Sequence, residues 1–167
     1  MSVAFVGLGA NLGDARGTLA RAAQALDQLP NSRLTGVSSL YKSAPIDATG
    51  PDYLNAVAQL DTCLPPLELL RALLSLEAEH GRERPYVNAP RTLDLDLLAY
   101  DQLTLQLPEL TLPHPRAHLR AFVLLPWAEL APGEVLGGYG TIDCLSVSIR
   151  DQSIEHVAPA PAWWQRQ

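Results

Sequence analysis

Pro90-Arg91-Thr92-Leu93-Asp94-Leu95-Asp96-Leu97-Leu98 is the stretch from which the rest of the chain can be read. Leu93, Leu95 and Leu97 alternate with Thr92, Asp94 and Asp96, the period-2 pattern of a half-buried strand. Side chains two apart on a strand share a face, their Cα atoms about 6.6 Å apart at a rise of ~3.3 Å per residue. Two carboxylates so placed can grip one divalent cation, or two cations ~3.5–4 Å apart. Arg91 stands three residues before Asp94, and Arg82 and Arg84 precede it. Mg²⁺ takes one or two carboxylates and fills its remaining positions with phosphate and water, so an acid pair beside arginines suits a metal-bridged polyphosphate. An isolated Asp-x-Asp is more simply the wet face of an edge strand. The nearby arginines favour a site.

Reading backwards from this strand gives its partners. Pro65-Pro66 opens a helix through Leu67, Leu70, Leu73, Leu74 and Leu76-Glu77, with Gly81 as its stop. Residues 81–91 form a polar loop. Residues 54–62 alternate as a strand, 43–52 form a loop with two prolines, and 33–42 read as another strand. Asp14 is a candidate N-cap for a helix whose apolar face is Leu19, Ala22, Ala23, Leu26 and Leu29. Residues 2–8 form the first, buried strand. The order βαββαβ predicts an α+β, ferredoxin-like fold, with helices on one face of an antiparallel sheet and the other face free to carry a site. Beyond Asp101, Leu105 and Leu107 suggest a short strand, and Ala121 to Leu130 a helix or two turns broken at Pro126. Residues 131–167 read as a helical or irregular extension of a single domain spanning 1–167. The Trp163-Trp164 tail either extends as a linker or folds back over the core.

Composition bounds the partners. With 167 residues, 47% of them apolar, the chain can build one ample core. A net charge of −6 excludes a broad basic nucleic-acid footprint and leaves room for a local basic pocket. No apolar run is long enough to span a membrane and no basic leader precedes Val3, so a cytoplasmic protein is expected. Cys63 and Cys144 have no metal-ligand spacing and are expected to be buried or half-buried thiols.

The other constellations are weaker. Gly7-Leu8-Gly9-Ala10-Asn11-Leu12-Gly13 is one residue too long for a dinucleotide fingerprint, and no Walker lysine follows. It reads as a strand-to-helix loop whose glycines let backbone approach a ligand. Tyr53 and Asn55 share a face and, with Phe122, would suit a flat heterocycle; by themselves Phe122 reads as core and Asn55 as surface. His114 and His118 are four apart, but Pro115 and the lack of a Glu neighbour argue against zinc. His80 and His156 read as surface. No nucleophilic triad is marked, which agrees with phosphoryl-type chemistry, where positioning and charge stabilisation dominate.

Gly9-Ala10-Asn11-Leu12-Gly13, Pro51-Asp52-Tyr53-Leu54-Asn55-Ala56, Gly81-Arg82-x-Arg84, Pro90 to Asp96 and Pro113-His114-Pro115-Arg116 occur in the order and spacing that resemble the hydroxymethyl-dihydropterin pyrophosphokinase family. The resemblance covers residues 2–130. It implies pyrophosphoryl transfer from ATP to a hydroxymethyl-dihydropterin in folate biosynthesis, with AMP released; a monomer is expected. It implies two Mg²⁺ held by Asp94 and Asp96, and Arg82 and Arg91 neutralising the transferred group. Glu77, Arg84, Leu97, Thr111, His114 and Arg120 would bind ATP. The pterin would lie between Tyr53 and Phe122, its edge read by Asn55, Ser43, Ala44 and Ile46. Asn88, Glu109, Pro115 and Leu74 depart from the family pattern, which bears on affinity and loop closure. The rival readings are another metal-dependent nucleotidyl or phosphoryl transferase on this fold, and a non-catalytic ligand-binding module.

Overall fold

The computed structural model describes the chain apart from residues 12, 45–50, 81–92, 150, 166 and 167. In chain order the first half contains β1 (Ser2–Ala10), α1 (Ala15–Asp27), β2 (Ser32–Val37), β3 (Leu40–Ser43), β4 (Tyr53–Thr62), α2 (Pro66–His80) and β5 (Asp94–Tyr100). The second half contains β6 (Leu105–Gln106), β7 (Thr111–Leu112), a 3₁₀ turn at Ala117–Leu119, α3 (Ala121–Leu130), β8 (Val135–Leu136), β9 (Gly140–Thr141), α4 (Ile142–Ser148) and β10 (Ile154–Ala158). The main sheet runs β10-β3-β4-β1-β5, with β2 also paired to β4. All of its ladders are antiparallel. This is the expected βαββαβ arrangement, with β4 at its centre and β1 between β4 and β5.

The local reasons are readable. Asp14 accepts a hydrogen bond from the Gly17 N–H at 3.1 Å, satisfying one of the orphan donors at the start of α1. Pro66 is tolerated as the first residue of α2, where its missing N–H costs nothing. Helices α1 and α2 bury Leu19, Ala22, Ala23, Leu26, Leu69, Leu73 and Leu76 against Val6 and Leu8 of β1, Leu60 of β4, and Leu95 and Leu97 of β5. Leu93, just before β5, joins the same core.

Two backbone irregularities set the site. The strand expected at 33–42 is two strands, opposite different parts of β4. At the break, the Ser38 hydroxyl accepts from the Val57 N–H at 2.9 Å and donates to the Ser39 carbonyl at 2.8 Å. In β5, Val6 faces Leu97 while Phe5 faces Ala99, so Leu98 is the extra residue of a bulge. Beyond it, Leu98 and Ala99 both join the opposite core.

That opposite core corrects the expectation of helices on one face only. Helices α3 and α4 pack on the second face, where Trp127 meets Phe5 with ring centroids 5.1 Å apart. They cover one end of it and leave the other end open. Helix α3 continues through Pro126 as one helix. The C-terminal extension folds back. β10 adds to β3, the Trp163 indole N–H donates to the Ser38 carbonyl at 2.8 Å, and Gln24 of α1 donates to the Trp164 carbonyl at 2.8 Å. Cys63 and Cys144 are exposed, against expectation. Cys63 lies just past the end of β4, and Cys144 on the outer side of α4, where packing makes no demand on them. Among the described residues no helix is long and apolar enough to cross a membrane.

Candidate functional site

On the uncovered end of the sheet the register sets out a row of residues. Asp94 faces Gly9, Gly9 faces Asn55, and Asn55 faces Tyr41. Directly opposed residues share a face, so these positions point the same way. Asn55 and Asp94 lie two strands apart, about 10 Å at ~4.8 Å per strand. Between them the only residue is a glycine. A Cβ on Gly9 would sit 3.4 Å from the Asn55 side-chain nitrogen, so its absence keeps the floor flat. Gly7 separates Asp96 from Val57 in the next row in the same way. These two glycines are strand residues, and the loop reading of them is corrected: strand β1 runs on to Ala10. Their period-2 spacing was the signal, outweighed by the general preference of glycine for loops.

A cavity of about 370 Å³ stands on this floor. Ser43, Ala44, Tyr53, Asn55, Phe122 and Arg120 line it together with Asp94 and Asp96. Asn55 is buried, not on the surface, and its amide oxygen accepts from the Ser43 hydroxyl at 2.7 Å. Phe122 is half-buried at the rim, not in the core, and the Arg120 guanidinium lies 5.4 Å from its ring centroid. Burial raises the Tyr53 phenol above its ordinary range, and the Asp94 charge raises it further, so Tyr53 is a neutral ring with a hydroxyl donor. The wall is aromatic, the floor bare, and one edge polar.

A second cavity, of about 290 Å³, lies along the free edge of β5. Glu77, Leu97, Thr111 and His114 line it with Leu74, Glu109, Pro115 and Asp96. The Glu77 carboxylate accepts from the Leu95 N–H at 2.8 Å, which places that N–H on the outer edge of the strand. Period 2 directs the backbone groups of Leu97 to the same edge, while its side chain is core. The bulge holds the far wall, because the Leu98 carbonyl accepts from the His114 N–H at 2.9 Å. His114 Nδ1 in turn accepts from the Arg116 N–H at 3.2 Å. Burial lowers the His114 pKa, Asp96 partly opposes this, and Arg120 and Arg116 lower it further; the neutral imidazole is favoured.

Asp96 is exposed and lines both cavities. Two ligands bound side by side would therefore meet at Asp96, next to half-buried Asp94. The profile of the 7,8-dihydro-6-hydroxymethylpterin-pyrophosphokinase family matches residues 5–132. The chain belongs to that family.

Similar proteins agree. The 2-amino-4-hydroxy-6-hydroxymethyldihydropteridine pyrophosphokinase of Pseudomonas aeruginosa is 48% identical over 129 residues, covering 77% of this chain and 80% of that one. The Haemophilus influenzae protein of the same name is 44% identical over 137 residues, 81% of this chain and 86% of that one. The Bacillus subtilis one is 37% identical, with 77% and 78% covered. Among solved structures, a Plasmodium falciparum HPPK-DHPS with pteroate superposes with a TM-score of 0.72 at 13% identity. That match covers 88% of this chain and 44% of the other, so this chain spans under half of the two-part protein; at such identity the likeness shows the fold.

Placed against this family, the residues expected at the site divide cleanly. The first cavity gathers Ser43, Ala44, Tyr53, Asn55 and Phe122, with Arg120 beside them and not in the second cavity. The second gathers Glu77, Leu97, Thr111 and His114. Ile46, Arg82, Arg84 and Arg91 lie outside the described residues, as does Asn88. Of the four positions that depart from the family pattern, Leu74, Glu109 and Pro115 all line the second cavity.

Proposed function

We propose that this pyrophosphokinase-family chain transfers the pyrophosphoryl group of ATP to the hydroxymethyl oxygen of a 6-hydroxymethyl-7,8-dihydropterin and releases AMP. The observation that carries the reading is the pair of cavities meeting at Asp96. The pterin ring takes the glycine floor, between Tyr53 and Phe122, with its polar edge on Asn55, Ser43 and Ala44 and on Ile46. The nucleotide takes the edge of β5, against Glu77, Leu97, Thr111 and His114. Its phosphates then run toward Asp96 and Arg120. Arg82, Arg84 and Arg91 belong to the same reading as the cations that neutralise the transferred group.

The donor set fits magnesium. Asp94 and Asp96 are hard oxygen ligands on one strand face, and no group of three or more His, Cys, Asp or Glu side chains able to hold a metal exists among the described residues. A cation that completes its shell with phosphate and water needs no more than this pair. Bound there, two Mg²⁺ would supply charge neutralisation along the polyphosphate. The protein's own part is placement and charge. The floor and aromatic walls orient the hydroxymethyl group, and the arginines stabilise charge that develops on the transferred phosphates. With the Asp94 and Asp96 carboxylates given to the cations, the transfer runs directly from donor to acceptor.

Incubation with ATP, Mg²⁺ and 6-hydroxymethyl-7,8-dihydropterin, followed by identification of the nucleotide product, tests the proposal. AMP formed only when the pterin is present supports it. ADP means single phosphoryl transfer, and no turnover by a folded sample leaves a binding module; either result overturns it.

A further inference from the structure

Arg120 occupies a one-residue joint. It follows the 3₁₀ turn Ala117–Leu119, precedes α3, and has an extended backbone at φ −119°, ψ 115°. No side chain of its own neighbourhood caps α3. Instead a single side chain from far along the chain holds both sides of the joint. The Gln152 amide nitrogen donates to the Leu119 carbonyl at 2.7 Å, and its oxygen accepts from the Ala121 N–H at 2.9 Å. Those two groups belong to the peptide planes on either side of the Arg120 Cα, whose relative rotation is its φ and ψ. Fixing both planes through one amide fixes the direction in which the Arg120 side chain leaves the backbone.

Gln152 is itself anchored. Its N–H donates to the Ile149 carbonyl at 3.2 Å. Two residues on, Ile154 pairs with Ser43, which lines the first cavity. The clamp thus joins the floor side of the cavity to its arginine side. Gln152 lies beyond residues 5–132, the part matched to the family.

We infer that Gln152 is a positioning residue for the transfer, acting through Arg120 from the C-terminal extension. The inference rests on the reading that Arg120 serves the reaction. The test is a double-mutant cycle on AMP formation with Gln152→Met, Arg120→Ala and the double variant. Gln152→Met keeps the bulk and removes both hydrogen bonds. It is expected to lower kcat roughly tenfold, the scale of losing one or two orienting hydrogen bonds. The pterin KM should stay within about twofold, because Ser43, Tyr53 and Asn55 keep their places on β3 and β4. In the Arg120→Ala background the same change should cost less than about twofold, since the group it positions is gone. An equal loss in both backgrounds would make Gln152 merely structural and overturn the inference. Wild-type activity of Gln152→Met beside an impaired Arg120→Ala overturns it too. Wild-type activity of Arg120→Ala instead removes the premise and points back to the reading of the site. Should Gln152→Met fail to fold, Gln152→Glu keeps the acceptor for Ala121, loses the donor to Leu119, and runs the same cycle.

Discussion

Asp96 and Gly9 show how single positions divide the work of the site. Asp96 is exposed on an edge strand and lines both cavities, so the fold asks little of its carboxylate. Asp96→Asn is therefore expected to leave the thermal midpoint within a few degrees and to lower turnover by two or more orders of magnitude, the scale on which losing a charge-stabilising group acts. A steady-state assay beside a melting curve checks this, and near-normal turnover would remove Asp96 from the metal site. Gly9 does the opposite kind of work by presenting nothing. Its φ is not in the left-handed region, so alanine is allowed by the backbone. The added methyl would stand on the floor, 3.4 Å from the Asn55 nitrogen. Gly9→Ala should raise the pterin KM about tenfold with the fold and the ATP KM little changed, a selective loss of ring binding. A rise in the ATP KM instead would place the ring elsewhere.

At the scale of elements, the strands and helices that obey one period were legible. Alternation pairs Tyr53 with Asn55 on one face of their strand and Asp94 with Asp96 on one face of theirs, and apolar stripes mark α1 and α2. That the two pairs share a face follows from the register through Gly9. What escaped were features decided by distant partners. The break at Ser38 depends on Val57, and the Leu98 bulge on the register against Phe5 and Val6. The tail's course depends on Ser38 and Gln24, more than a hundred residues away. Trp163 is the clearest consequence, being 4% exposed in the same core as α1. Trp163→Ala should cost about 3–5 kcal/mol in denaturant unfolding, the usual range for a buried tryptophan. A loss under ~1 kcal/mol would mean the tail does not complete the core. Tyr41 ties β3 to α3 by donating to Glu129, and His156 of β10 packs edge-on against it at 5.5 Å. Burial first, then the Glu129 hydrogen bond and charge, push the phenol well above its ordinary 10.0. The unfolded chain releases this proton near pH 10 and the folded one retains it, so stability is present below pH 10 and falls as pH rises past it. Tyr41→Phe should flatten that alkaline decline in unfolding free energy; an unchanged slope would assign it to other groups.

For the molecule as a whole, the sheet is the dividing wall. One face carries α1 and α2 and is sealed. The other is half covered by α3 and α4. The C-terminal extension braces that cover through Gln152, while its β10 widens the sheet and its Trp163 packs in the α1 core. The uncovered remainder holds one cavity, the free edge of β5 holds another, and Asp96 belongs to both. Two ligands can sit there together, sharing only Asp96, which the proposed function gives to the metal. The kinetic order should therefore pass through a ternary complex, with pyrophosphoryl going directly from one ligand to the other. Double-reciprocal plots of initial rate at several fixed pterin concentrations are expected to intersect, and AMP should not form from ATP until pterin is added. Parallel lines, with a stoichiometric burst of AMP in the absence of pterin, would require a covalent pyrophospho-enzyme and hence a protein nucleophile. The meeting of the two cavities at one carboxylate favours the direct route, because Asp96, the group at the junction, is the one the proposed function gives to the cation that bridges the phosphates.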